Sequence, residues 1–271
     1  MNMKPSVKSA LFVPGSRPER FDKAIATGAD MVIVDFEDAV EESLKRQARE
    51  NLMVYLTANP SLLVVVRING SDHPEHQNDL DFCSRFPEVS AILLPKAESS
   101  DQVSHAAASG KLVWPLIESA KGLENLPAIA SVAGVERLTY GALDLAVDLG
   151  LRAQSTAASR MFDQVRYHIL VSTARSQLAR PLDTVYPNFS DLDGLSKFAR
   201  DALDMGFGGM LCIHPSQVSI VNNVFEPTAE EIEWARKVID AAQGAPGAFR
   251  LDGKMIDAPV IAAARRLLQA S

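Results

Sequence analysis

Two acids, Glu118 and Asp144, each close an apolar run, LVWPLIE and ERLTYGALD. If those runs are successive strands of one barrel, the carboxylates stand side by side. Two carboxylates completed by water and substrate oxygens suit Mg²⁺, a hard cation that keeps several non-protein ligands. Either acid could instead cap the helix that follows it. Arg67 lies in VVVRIN, a run too apolar to accept an unpaired guanidinium. It is either a bidentate clamp on a substrate carboxylate or carbonyl, or the cation of an ion pair with a barrel acid such as Glu37. Asp35, Glu37 and Asp38 crowd the end of DMVIVDF and repel one another unless a cation or arginines compensate. One of them is expected to pair with Arg17 or Arg67 and another to hold metal-bound water, while Asp38 could equally cap a helix. Lys96 ends AILLPK. A Schiff-base role would need it neutral, and Glu98, two residues on, is expected to hold it protonated. His214 in CIHP is alone among five histidines at such a position, which disfavours a histidine-rich zinc site.

The elements that must position these residues are eight apolar runs, each ending on a polar residue: SALFVP, DMVIVDF, LLVVVRIN, AILLPK, LVWPLIE, ERLTYGALD, LDTVYPNFSD and GMLCIHP. They are continuously apolar, as strands of a parallel sheet buried on both faces are. Between them, helical spacing predicts helices over Arg17–Thr27, Ser43–Thr57, His76–Phe86, Ser99–Ala108, Leu123–Val132, Thr156–Leu178, Leu195–Met205 and Ala229–Ala242. Pro127 implies a kink or a late start in the fifth. The alternation is α/β. It fits a (β/α)8 TIM barrel with its active site on one face better than a doubly wound open sheet, because no GxGxxG follows the first run. The expected domains are a barrel over 1–243 and a short C-terminal extension over 244–271. The extension has a Gly/Pro-rich link, a turn-like DGK and a helix over Val260–Gln269. It is expected to pack on its own barrel or on a neighbouring subunit.

A length of 271 residues suits such a barrel. A net charge of −7 argues against a nucleic-acid surface. The apolar runs are too short to span a bilayer, and the N-terminus shows no adequate apolar signal region, so the chain reads as cytoplasmic with no membrane partner. Cys83 and Cys212 form no CxxC and read as buried free thiols.

From Leu11 to about Val260, the pieces LFVPGSRPERFDKA, GADMVIVDFEDAV, VVVRIN, LLPKAE, PLIESAKGL, YGALDLAVDLG, ARDALDMGFGGMLCIHPSQV and KMIDAPV run in order. With them the chain resembles the citrate lyase beta-subunit-like family, within the HpcH/HpaI aldolase and malyl-CoA lyase superfamily. The resemblance implies a trimeric or hexameric (β/α)8 barrel that uses Mg²⁺ to cleave a 3-hydroxyacyl-CoA thioester, of citramalyl-, malyl- or citryl-CoA type, to acetyl-CoA and an oxoacid. By the same resemblance Glu118 and Asp144 bind the metal, with Glu118 also at the substrate. Arg67 polarises the substrate, Glu37 and Asp38 stand behind the metal and its water, and Arg17 and Lys96 lie near the substrate. Asp257 matches a tail acid that reaches a neighbouring subunit's site as acid or base. The chain departs from the family pattern at Asn188, where an acid is usual, and at Met210, where a lysine is usual. Three other enzymatic readings share these residues: malate-synthase-like condensation, acyl-CoA thioesterase, and a CoA-free class II 4-hydroxy-2-oxoacid aldolase, whose members usually lack the KMIDAP tail. A fourth reading is a non-catalytic subunit or CoA-binding module.

Overall fold

The computed structural model describes residues 6–152, 155–244 and 247–270, with residues 269 and 270 by backbone only. These residues fall into two compact units, Met1–Asn222 and Asn223–Ser271.

The first unit is a barrel of eight parallel strands: β1 (Ser9–Pro14), β2 (Met31–Asp35), β3 (Val64–Arg67), β4 (Val89–Leu94), β5 (Leu112–Ile117), β6 (Thr139–Tyr140), β7 (Leu182–Asp183) and β8 (Gly209–Cys212). The ladder runs β6-β5-β4-β3-β2-β1-β8-β7. Its two ends meet where the Leu182 amide donates to the Leu138 carbonyl at 3.1 Å. The fold is therefore the expected TIM barrel, with its seam between its two shortest strands.

Side chains alternate in and out along each strand. Ala10, Ile33, Val65, Ala91, Leu93, Trp114, Leu116, Leu182 and Leu211 fill the interior with Phe12 and Met31. Each further step of two residues keeps that parity. It puts Asp35 above Ile33, Arg67 above Val65, Glu118 above Leu116 and Thr184 above Leu182. The polar residues at the C-terminal ends of the strands are thus the top layer of the inward-facing set, resting on an apolar plug.

The helices follow the expected order with shifted ends. Arg17–Thr27 is a 3₁₀ turn, Pro18–Arg20, followed by one helical turn, Phe21–Ile25. Leu123–Val132 divides into Ala120–Glu124 and Leu126–Ile129, with Pro127 in the first turn of the second piece, where its missing N–H costs nothing. Two corrections concern run ends. Asp144 ends no strand: it sits in the first turn of a helix, Ala142–Asp148. Asp191 likewise ends none; the strand stops at Asp183, and Asp191 caps the helix Leu192–Met205 by accepting from the Gly194 amide. A helix over Pro215–Phe225 was not expected. No helix among the described residues is long and apolar enough to cross a membrane. Both cysteines are free and buried, and burial pushes the Cys212 thiol up to about 12.

The second unit pairs the helices Ala229–Ala242 and Ala258–Ala270 around Ala235, Val238, Ile256 and Ala264. Thr228 and Glu231 form a capping box on the first helix. The DGK segment turns an antiparallel hairpin of β9 (Phe249–Leu251) and β10 (Lys254–Ile256). Asp252 and Gly253 both have positive φ, as a tight two-residue hairpin turn requires.

Candidate active site

A cavity of about 640 Å³ opens over the C-terminal ends of the strands. Its walls include Phe12, Asp38, Arg67, Glu118, Asp144 and Thr184. Two groups of acids face it, and they are built differently.

The first group follows β2. Asp35 grips Arg67 with both oxygens: Nε donates to Oδ1 at 2.7 Å and Nη2 to Oδ2 at 2.5 Å. The same carboxylate accepts the amides of Glu37 and Ala39, so it shapes the loop as it holds the arginine. Arg67 Nη1 is left facing Glu37 at 3.0 Å and Asp38 at 3.5 Å. The guanidinium lies over the Phe12 ring, 5.0 Å from its centroid. Of the two sequence readings for Arg67, the ion pair is present. The expected Glu37 contact is made, at 3.0 Å, but the chief partner is Asp35, to which two of the three guanidinium nitrogens are committed.

Lys96 Nζ donates to Glu37 Oε1 at 2.6 Å. Burial works to lower the ammonium's pKa, but the bond and charge of Glu37, with Asp38 and Glu118, raise it overall. A protonated lysine is no Schiff-base nucleophile. The partner that holds it so is Glu37; Glu98, expected in that role, pairs with Lys121 and Ser119. Beneath the loop, the buried Lys45 ammonium donates to the carbonyls of Phe36, Glu37 and Val40 at 3.2, 3.2 and 3.3 Å. Even so braced, Glu37 has its carboxyl pushed upward, because desolvation outweighs Arg67 and Lys96.

The second group is Glu118 and Asp144. Glu118 is 4 % exposed, and its Oε1 accepts the Lys96 amide at 2.8 Å. Desolvation first, then the charges of Glu37 and Asp144, push its carboxyl up to about 8. Its Oε2 lies against the backbone of Gly141, where an added Cβ would stand 2.5 Å from it. The position therefore demands glycine: the β5–β6 register sets Ile117 beside Tyr140, so the next residues, Glu118 and Gly141, are neighbours. Asp144 follows one turn into the helix and is exposed. Among the described residues no three His, Cys, Asp or Glu side chains gather as a metal-binding group. Two oxygen donors with uncompensated charge in a roomy cavity suit a divalent ion of the Mg²⁺ kind, which completes its shell with water and ligand oxygens.

The remaining expected residues are dispersed. Arg17 is exposed, and Arg20 and Lys23, one turn on, line the cavity in its place. His214 also lines it, stacked on Phe189 with ring centroids 4.8 Å apart. Asp257 belongs to the second unit, where it caps the last helix by accepting from Val260. The acid of the Asp35, Glu37 and Asp38 cluster that was expected to pair with Arg17 or Arg67 is chiefly Asp35, on Arg67. Residues the sequence reading passed over are Lys45 under the loop, and Thr184, Arg20 and Lys23 on the cavity wall. Strand parity could have found Thr184, two residues beyond an inward Leu182.

Comparison with known proteins follows the same elements. Residues 8–215 match the family described as HpcH/HpaI aldolase/citrate lyase. A citrate lyase subunit beta-like protein of Mycobacterium tuberculosis is 36% identical, covering 99% of this chain and 97% of its own. A (3S)-malyl-CoA thioesterase of Cereibacter sphaeroides is 34% identical, covering 96% of this chain and 93% of its own. The crystal structure of protein CitE from M. tuberculosis in complex with magnesium, acetoacetate and coenzyme A superposes with a TM-score of 0.82 at 34% identity and covers 99% of both chains.

Proposed function

The chain belongs to the HpcH/HpaI aldolase/citrate lyase family, an enzyme family, and on that footing we propose that it is a Mg²⁺-dependent carbon–carbon lyase. Its substrate is a 3-hydroxyacyl-CoA thioester of citramalyl-, malyl- or citryl-CoA type, split into acetyl-CoA and an oxoacid. The observation that carries the reading is the buried Glu118 with the exposed Asp144 near it, neither in a side-chain ion pair, beside Arg67 in one cavity. Support comes from the magnesium and coenzyme A bound by the homologous CitE structure.

Glu118 and Asp144 would hold the ion, whose chemistry is Lewis-acid stabilisation of negative charge on substrate oxygens. Arg67, immobilised by Asp35, offers Nη1 to the same end of the substrate and fixes its orientation. Asp38, whose side chain is 56% exposed, is the acid on the cavity wall free to take the substrate's hydroxyl proton. The C2–C3 bond then breaks, its electron pair passing to the thioester as an enolate. Asp257 of a neighbouring copy would return one proton to C2, a role that calls for a homotrimer or hexamer. Arg20 and Lys23 at the cavity wall suit the phosphates of coenzyme A.

The Cereibacter relative favours a second reading, hydrolysis of the thioester in the same site. Citramalyl-, malyl- and citryl-CoA, each assayed with and without Mg²⁺ for oxoacid release, condensation and free thiol, separate the two. Glu118→Gln and Asp144→Asn are each expected to lower kcat/KM for cleavage by about a thousandfold or more. Full activity in either variant overturns the assignment.

A further inference from the structure

One residue further along β6 and β7 than the interior layer, and so on the outer faces of those strands, stand Tyr140 and Asp183. Both are 0% exposed. Arg166, from the helix Thr156–Arg175, reaches in between: its Nη2 lies 2.8 Å from Asp183 Oδ2. Tyr140 stands beside both: burial and then the charge of Asp183 push its phenol well above the usual value, and Arg166 opposes them. Arg166 Nη1 also pairs with Asp201 at 2.9 Å, and its guanidinium lies over the Phe198 ring at 4.6 Å. A buried cation, carboxylate and phenol thus clasp the barrel at its seam, where two-residue strands supply little ladder of their own. Nothing in the proposed reaction uses these groups directly.

The clasp connects to the cavity through one residue. The Thr184 amide donates to Asp183 Oδ1 at 2.8 Å, and Thr184 Oγ1 accepts the amide of Ala142 at 3.1 Å. Ala142 is the first residue of the helix that carries Asp144, and Gly141 before it seats Glu118. On the other side Tyr140 is the residue just before Gly141. The clasp therefore holds both ends of the segment Tyr140–Ala142.

We propose that Thr184, set by the Tyr140–Arg166–Asp183 clasp, is a positioning residue that fixes Asp144 relative to Glu118 for cation binding. This rests on the metal-site reading above. Groups that orient ligands in this way typically change metal affinity ten- to a hundredfold when removed.

The test is Mn²⁺ binding by the full chain, followed by electron paramagnetic resonance without substrate, with kcat and KM measured alongside. Thr184→Val removes the hydroxyl at nearly constant volume, and is expected to weaken Mn²⁺ about tenfold. Thr184→Ser restores the acceptor and is expected to bind as the wild type does. Tyr140→Phe, which loosens the clasp from the other strand, is expected to shift affinity in the same direction as Thr184→Val. Unchanged affinity in both Thr184→Val and Tyr140→Phe overturns the proposal while leaving the metal site standing. Equal weakening by Thr184→Val and Thr184→Ser overturns it too, since the hydroxyl is then not the agent. Mn²⁺ binding that survives both Glu118→Gln and Asp144→Asn removes the metal-site reading itself, and this proposal with it.

Discussion

The acids at the end of β2 and the acids after β5 and β6 are neighbours, with Asp35 and Asp38 lining the same cavity as Glu118 and Asp144, and the two groups are treated in opposite ways. Asp35 and Glu37 meet Arg67, Lys96 and, through the loop's carbonyls, Lys45. Glu118 has one backbone amide on Oε1, and Asp144 and Glu37 push its carboxyl up to about 8 along with burial. Like charges brought together inside a protein are stable only when something neutralises them. The chain pairs the first group with its own side-chain cations and gives the second no side-chain ion pair, which on the proposed function leaves it for a cation from outside. The difference separates charge that the fold itself uses from charge that the proposed reading assigns to a ligand.

The largest test of that contrast is Asp35→Asn. It removes the bidentate partner of a buried guanidinium, leaving only the Nη1 contacts to Glu37 and Asp38, and is expected to cost about 3 kcal/mol by chemical denaturation. Glu118→Gln in the metal-free protein is expected to have the opposite sign, because it removes a repelled charge. Equal destabilisation by both would erase the distinction. Lys45→Met comes next, at about 2 kcal/mol, since it leaves three carbonyls of the acid loop without their common donor. The same unfolding experiment measures it. A null effect would mean that the loop holds its shape through Asp35 alone.

The smallest effect is a slope with pH. The folded protein holds the Glu118 proton more tightly than an unfolded chain does, so this group's stabilisation is full below about pH 4. It is lost as pH rises through about 8. Melting temperature of the metal-free protein should fall by a few degrees across that window. Mg²⁺ should restore it, and Glu118→Gln should flatten it, with Glu37, Asp144 and Lys96 unchanged around it. A slope that survives the substitution would move the titration to another acid.

The barrel was legible because eight continuously apolar runs read as buried strands, and each holds one, although in ERLTYGALD and LDTVYPNFSD the strand is only two residues long. Glu118, Arg67 and Glu37 were legible as polar ends of those strands. Asp144 was placed one element too early, since ERLTYGALD carries no mark of where a two-residue strand gives way to a helix at Gly141. Asp35 as the partner of Arg67 depends on the register Asp35↔Arg67 between β2 and β3, which no single run encodes. Arg20, the last residue of the 3₁₀ turn, and Lys23 in the helix after it line the cavity, and Arg17 before the turn does not. Tyr140, Arg166 and Asp183 are ordinary residues far apart in the chain, and only the closed seam makes them one group.

Lys96 deserves a different description from the one its side chain suggests. Its φ of 49° is a left-handed conformation that costs a non-glycine residue about 1 kcal/mol or more. In that posture its amide reaches Glu118 while its ammonium reaches Glu37. A glycine would relax the backbone and forfeit the second contact. The residue is a strained pin that joins two acid groups, one through its backbone and the other through its side chain. The fold gives up a little stability at one residue to hold two halves of a site together.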